Sequence, residues 1–87
     1  MKNKKVILEN ETGLHARPAA ELVKIASKYK SEINLNVNGK NYNAKSMLGV
    51  MSAGIKTKTE IEIICDGEDE EQALEEIVRG FENKFGE

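Results

Sequence analysis

Glu32-Ile33-Asn34-Leu35-Asn36-Val37-Asn38-Gly39 alternates polar and apolar residues over six positions and ends in an Asn-Gly pair. A period of two puts Ile33, Leu35 and Val37 on one face of a half-buried strand. Asn-Gly supports positive φ at both central positions of a type I′ turn, so the chain folds straight back. Lys40 to Ala44 is then the return strand. Downstream, Thr59-Glu60-Ile61-Glu62-Ile63-Ile64-Cys65 alternates again and turns Ile61, Ile63 and Cys65 inward, before Asp66-Gly67 bends the chain. Upstream, Val6-Ile7-Leu8 follows a lysine-rich start and reads as another strand, with Val6 and Leu8 on its buried side. Glu9 to Gly13 is polar, ends in glycine and reads as a loop.

Strands with one apolar face need a cover. From Ala16 onward, Ala19, Leu22, Val23 and Ala26 follow the i, i+3, i+4, i+7 spacing of an amphipathic helix, with Arg17, Glu21, Lys24 and Lys28 on its wet side. Pro18 falls in its first turn, where a missing N–H costs little. Ser46 to Ala53 is a short helix, with Ser46 as N-cap and Gly54 as the stop. Asp69 opens a last helix whose Leu74, Ile77, Val78, Phe81 and Phe85 form one stripe. Its first turns are acidic and Lys84 lies near its end, in accord with the helix dipole. Gly80 weakens it by about 1 kcal/mol relative to Ala. The order is β-α-β-β-α-β-α. It predicts an α+β open-faced sandwich, a four-stranded antiparallel sheet covered on one face by three helices.

The 87 residues make a single domain, 1–87, without linker, repeat or low-complexity segment. No apolar run is long enough to span a membrane. The N-terminal lysines are followed by no apolar segment, so no secretory signal is read there. The one cysteine, Cys65, has no internal partner, which fits a reducing, cytoplasmic setting. The net charge of −2 hides an asymmetry: residues 1–30 carry seven Lys/Arg and three Asp/Glu, whereas residues 60–87 carry two Lys/Arg and eleven acids. One face is therefore expected to be basic and the far end acidic. A basic face suits an anionic partner. Nucleic acid is disfavoured by the overall acidity and by the lack of an aromatic stacking pair on the strands.

The chemistry centres on Gly13-Leu14-His15-Ala16-Arg17-Pro18-Ala19-Ala20, which holds the only histidine and the only proline. His15 sits where a loop gives way to a helix. Backbone N–H groups of a first helical turn are unpaired and the dipole is positive there, so an anion captured by His15 is held by the backbone of Ala16 and Arg17. The Arg17 guanidinium can pair with an oxyanion bidentately. No second histidine or cysteine exists to build a zinc cluster, and no P-loop, kinase signature or nucleophile elbow appears. A nucleophile without machinery to hydrolyse its adduct describes a carrier rather than an enzyme, and implies no metal or cofactor.

Ser46, besides capping, stands where a phosphate is electrostatically tolerated at a helix N-terminus, next to Lys45. Met47, Leu48, Val50 and Met51 crowd one two-turn helix. Not all can be buried, so part of the set is expected to form an adaptable docking patch, ringed by Arg17, Lys24 and Lys45 and suited to acidic protein surfaces.

The His15 stretch and Lys45-Ser46-Met47-Leu48-Gly49-Val50-Met51-Ser52 together resemble the two signatures of HPr, the histidine-containing phosphocarrier of the bacterial phosphoenolpyruvate-dependent sugar phosphotransferase system. The Asn38-Gly39 hairpin, Gly54 and the element order match as well, so the resemblance covers essentially the whole chain. It implies that His15 takes a phosphoryl group on Nδ1 from phospho-enzyme I and passes it to the IIA domains of sugar permeases, with Arg17 assisting. The second motif is similar to that of Gram-positive members, in which the serine matching Ser46 is phosphorylated by an HPr kinase/phosphorylase and the product serves catabolite repression through a transcriptional regulator. The resemblance also implies a monomer and a partner-binding surface of Ala20, Lys24, Ser27, Met47, Leu48 and Met51. Ala20, Ala53 and Met47-Leu48 depart from residues frequent in Gram-positive members, at or near that surface. A purely regulatory module acting through phospho-Ser46 is the alternative. A regulatory paralogue lacks the histidine, and His15 argues against that assignment.

Overall fold

A computed structural model describes all residues, 1–87. Its elements are β1 (Lys2–Ile7), α1 (Ala16–Ala26), β2 (Glu32–Val37), β3 (Lys40–Asn43), α2 (Met47–Ser52), β4 (Glu60–Asp66) and α3 (Glu70–Glu82), followed by a 3₁₀ turn over Lys84–Gly86. The strands form one antiparallel sheet in the order β1-β4-β2-β3. The three helices lie over the apolar face of that sheet, as the alternation requires.

The two-residue turn forms as its sequence dictates: Asn38 and Gly39 have φ of 54° and 83°, and Val37 pairs with Lys40 across it. The central β2–β4 pairing sets Ile33 against Cys65 and Leu35 against Ile63, and β4 sets Ile61 against Val6 of β1. These side chains make the floor of an aliphatic core. Leu22 and Ala26 of α1, Val50 of α2, and Ile77 and Phe81 of α3 close it from above. Burial pushes the Cys65 thiol up to about 11, which leaves it an inert core group. No helix is long and apolar enough to cross a membrane.

Several local expectations need correction. Val6 is partly buried and packs against the core as expected, but Leu8 lies beyond the end of β1, fully buried, its N–H donating to the Thr59 carbonyl at 3.0 Å. Asp69 occupies the N-cap position of α3, but its carboxylate makes no cap bond. It accepts instead from the N–H groups of Lys30 and Ser31, at 2.9 and 3.0 Å, and from the Ser31 hydroxyl. Asp69 thus ties α3 to the α1–β2 connection. Phe85 does not extend the stripe of α3: the helix ends at Glu82, Lys84 and Phe85 take positive φ, and the Phe85 ring folds back onto the core.

The charge segregation of the sequence is also partly undone by folding. Acids of the last third clip onto the basic first third, in the pairs Lys2–Glu71, Lys28–Glu76, Lys30–Glu68 and His15–Glu87.

Candidate functional site

His15 is the N-cap residue of α1, with extended backbone (φ −81°, ψ −168°) and no side-chain cap bond. Its position follows from its neighbours. Leu14 is buried and its N–H donates to the Ile55 carbonyl at 2.9 Å, so the loop is pinned just before the histidine. Gly13 takes φ +79°, and a Cβ there would stand 2.8 Å from the Ile55 carbonyl oxygen. Only glycine allows this combination of left-handed backbone and close approach. Held this way, the imidazole is 42 % exposed at the helix end.

The first-turn donors are free as expected. The Ala19 N–H is spent on the His15 carbonyl at 2.9 Å and Pro18 has none. That leaves the N–H groups of Ala16 and Arg17, both without a partner in the protein and both in the turn that His15 opens. Arg17 is exposed. One turn therefore assembles a ring nitrogen, two backbone donors and a guanidinium. It suits a phosphoryl group far better than a metal, and no group of His, Cys, Asp or Glu side chains is arranged to hold a metal ion.

Two residues at this site went unread in the sequence. The Glu87 carboxylate reaches the histidine, with Oε2 3.1 Å from Nε2. Asn10, in the polar loop before Gly13, is buried and donates its amide to Glu87 Oε1 and to the Lys84 carbonyl, each at 2.9 Å. The signals were faint: an asparagine in a wet loop, and Phe85-Gly86 after the last helix, where an apolar residue must turn inward.

Ser46 is the N-cap of α2 and accepts from the Gly49 N–H at 3.0 Å. Its neighbour Lys45 does not ring the docking patch as expected: its ammonium is held by the Tyr29 carbonyl at 2.6 Å. In α2 the apolar set divides. Val50 is core, while Leu48 is 81 % exposed and Met47 and Met51 are exposed beside it. On α1, Ala20, Lys24 and Ser27 are exposed at i, i+4, i+7 spacing. Helices α1 and α2 pack against each other, so the six residues of the expected partner-binding surface lie on two neighbouring helices.

A family model described as the PTS HPr component phosphorylation site matches residues 2–83. The chain belongs to the HPr family of phosphocarrier proteins. HPr-like protein Crh of Bacillus subtilis (strain 168) is 46 % identical over 77 residues, which cover 88 % of this chain and 91 % of Crh. Among solved structures, HPr-C-His from Thermoanaerobacter tengcongensis superposes with a TM-score of 0.96 at 44 % identity, covering 100 % of this chain and 98 % of that one. The phosphocarrier protein HPr from Bacillus anthracis str. Ames gives 0.85 at 40 % identity, covering 90 % and 93 %. These matches establish the open-faced sandwich as that of HPr.

Proposed function

We propose that this HPr-family protein relays a phosphoryl group through His15, accepting it from phospho-enzyme I and passing it to IIA domains of sugar permeases in the cytoplasm. The observation that carries the reading is the unpartnered pair of N–H groups, Ala16 and Arg17, in the turn that His15 opens with an exposed imidazole at the start of α1. A phosphoryl group on that ring meets two preorganised donors, the positive helix end and Arg17. The exposed apolar strip of Leu48, Met47 and Met51, on the helix packed against the one that carries Lys24, is the surface on which acidic partner proteins dock. The protein is a substrate of phosphotransferases at both ends of the relay and turns nothing over alone. Incubation with enzyme I and phosphoenolpyruvate is expected to give one acid-labile, base-stable phosphate per chain, absent in His15→Ala. Retention of that phosphate by the variant overturns the assignment.

A second reading coexists with the first. Ser46 caps α2 beside the docking strip, and similarity to Crh favours a regulatory role for it. An HPr kinase/phosphorylase modifies Ser46 in this reading, and the product engages a transcriptional regulator in catabolite repression. Ser46→Ala is expected to abolish ATP-dependent modification by such a kinase. A variant still fully modified excludes it.

A further inference from the structure

The relay as stated uses neither Asn10 nor Glu87, yet the fold brings Glu87 to His15 and Asn10 to Glu87. Asn10 is 1 % exposed. The Lys84 carbonyl and the Glu87 carboxylate can only accept, so the Asn10 NH₂ must face them, and both its hydrogens are used. Its Oδ1 is left buried without a partner. An orphaned acceptor is a standing cost, and here it accompanies two bonds that hold residues 84–87 against the loop before His15. The Asn10 bond holds the Glu87 carboxyl below the usual carboxylate range, and the charge and hydrogen bond of His15 and the charge of Arg17 add to this. Glu87 is therefore an anion and an acceptor only at neutral pH. Its Oε2 lies 3.1 Å from Nε2 of His15, a distance at which the carboxylate favours a hydrogen on Nε2 and so leaves the lone pair of the neutral ring on Nδ1.

We propose that Glu87, aligned by Asn10, is a positioning residue for His15: it fixes the Nε2–H tautomer, presents Nδ1 as the nucleophile and offsets the ring charge that develops on transfer. The inference rests on the reading of His15 as the phosphoryl acceptor. In the forward step the Nδ1 lone pair forms the N–P bond while the phosphorus–donor bond breaks and its electron pair leaves with the donor. The Nε2 proton stays on the ring facing Oε2, so the positive charge gained by the ring faces a carboxylate. In onward transfer the N–P electron pair returns to Nδ1, and the ring leaves as the same neutral tautomer.

The test compares wild type, Glu87→Ala, Glu87→Gln and Asn10→Ala in enzyme I-dependent phosphorylation. ¹⁵N NMR of the His15 ring and ¹³C titration of the Glu87 carboxyl accompany it. Glu87→Ala is expected to lower kcat about tenfold with KM unchanged, since a bond to a charged group at a half-exposed site is lost. Glu87→Gln still accepts from Nε2–H without the charge, so it keeps the tautomer and loses about threefold. Asn10→Ala is expected to move the Glu87 titration up toward the ordinary carboxylate range. A wild-type ring protonated on Nδ1, an unchanged or faster kcat in Glu87→Ala, or a Glu87 titration unmoved by His15→Ala each overturn the proposal. If His15→Ala still accepts the phosphoryl group, the carrier reading fails and this inference falls with it. If His15→Ala is inactive while Glu87→Ala matches wild type, this inference alone fails.

Discussion

The ring of Phe85 lies over Gly80, in the space that any side chain at residue 80 would fill. It also meets Phe81 edge-on, with centroids 4.8 Å apart and planes at 72°. A glycine that costs the helix about 1 kcal/mol in propensity therefore makes room for the aromatic that seats residues 84–87. Gly80→Ala is expected to destabilise despite its better helix propensity, because overpacking costs about 1–3 kcal/mol. Phe85→Ala should cost about 3 kcal/mol through the lost ring. The two are in contact, so they should not add: with the ring gone, alanine at 80 recovers its propensity advantage and the double variant is more stable than Phe85→Ala alone. Urea unfolding of the four proteins checks this, and simple additivity would refute it. The same fold-back of Phe85 delivers Glu87 to His15, so Gly80→Ala should also slow phosphorylation.

At the scale of elements, α2 depends on its cap. It has six residues, buries Val50 and leaves Leu48, Met47 and Met51 in water, so little packing holds it. Ser46→Ala removes the acceptor of the Gly49 N–H and is expected to cost about 1 kcal/mol in thermal or urea unfolding. Ser46→Asp keeps a capping oxygen and should retain stability, while its charge beside the docking strip repels acidic partners. We expect it to lower kcat/KM for phosphorylation at His15 by about tenfold, chiefly through association with enzyme I. An unchanged kcat/KM in Ser46→Asp would show that the two helices do not share one partner surface.

Across the whole molecule, what could be read from the sequence was local. The hairpin, the inward faces of β2 and β4, the start of α1 at His15 and the Ser46 cap each follow from residues within one turn or one strand. Asp69 and Ser46 offer the same capping chemistry, but only Asp69 has the N–H groups of Lys30 and Ser31 within reach, a contact between residues 38 and 39 positions apart. The Asn10–Glu87 bond spans 77 positions, and no periodicity encodes it. Those distant bonds leave a titration signature. Asp69 is held below the usual carboxylate range by the Ser31 hydroxyl and the Lys30 N–H. Glu76 is held there by Lys28 and then Tyr29, whose own hydroxyl is pushed up to about 12 by Glu76. Both carboxylates lie on the α3 side and both bind the end of α1 or the loop after it. Their folded pKa values are depressed, so their stabilisation is fully present above the unfolded carboxylate range, about 4. It is lost as the pH falls through the lower folded values. Urea unfolding should therefore give a stability that is flat from pH 7 to 5 and drops towards pH 3. Asp69→Asn should be less stable at pH 7 and show a shallower drop, because the titrating group has gone. An equally steep acid limb in that variant would mean that Asp69 does not clip α3 to the α1–β2 connection in solution.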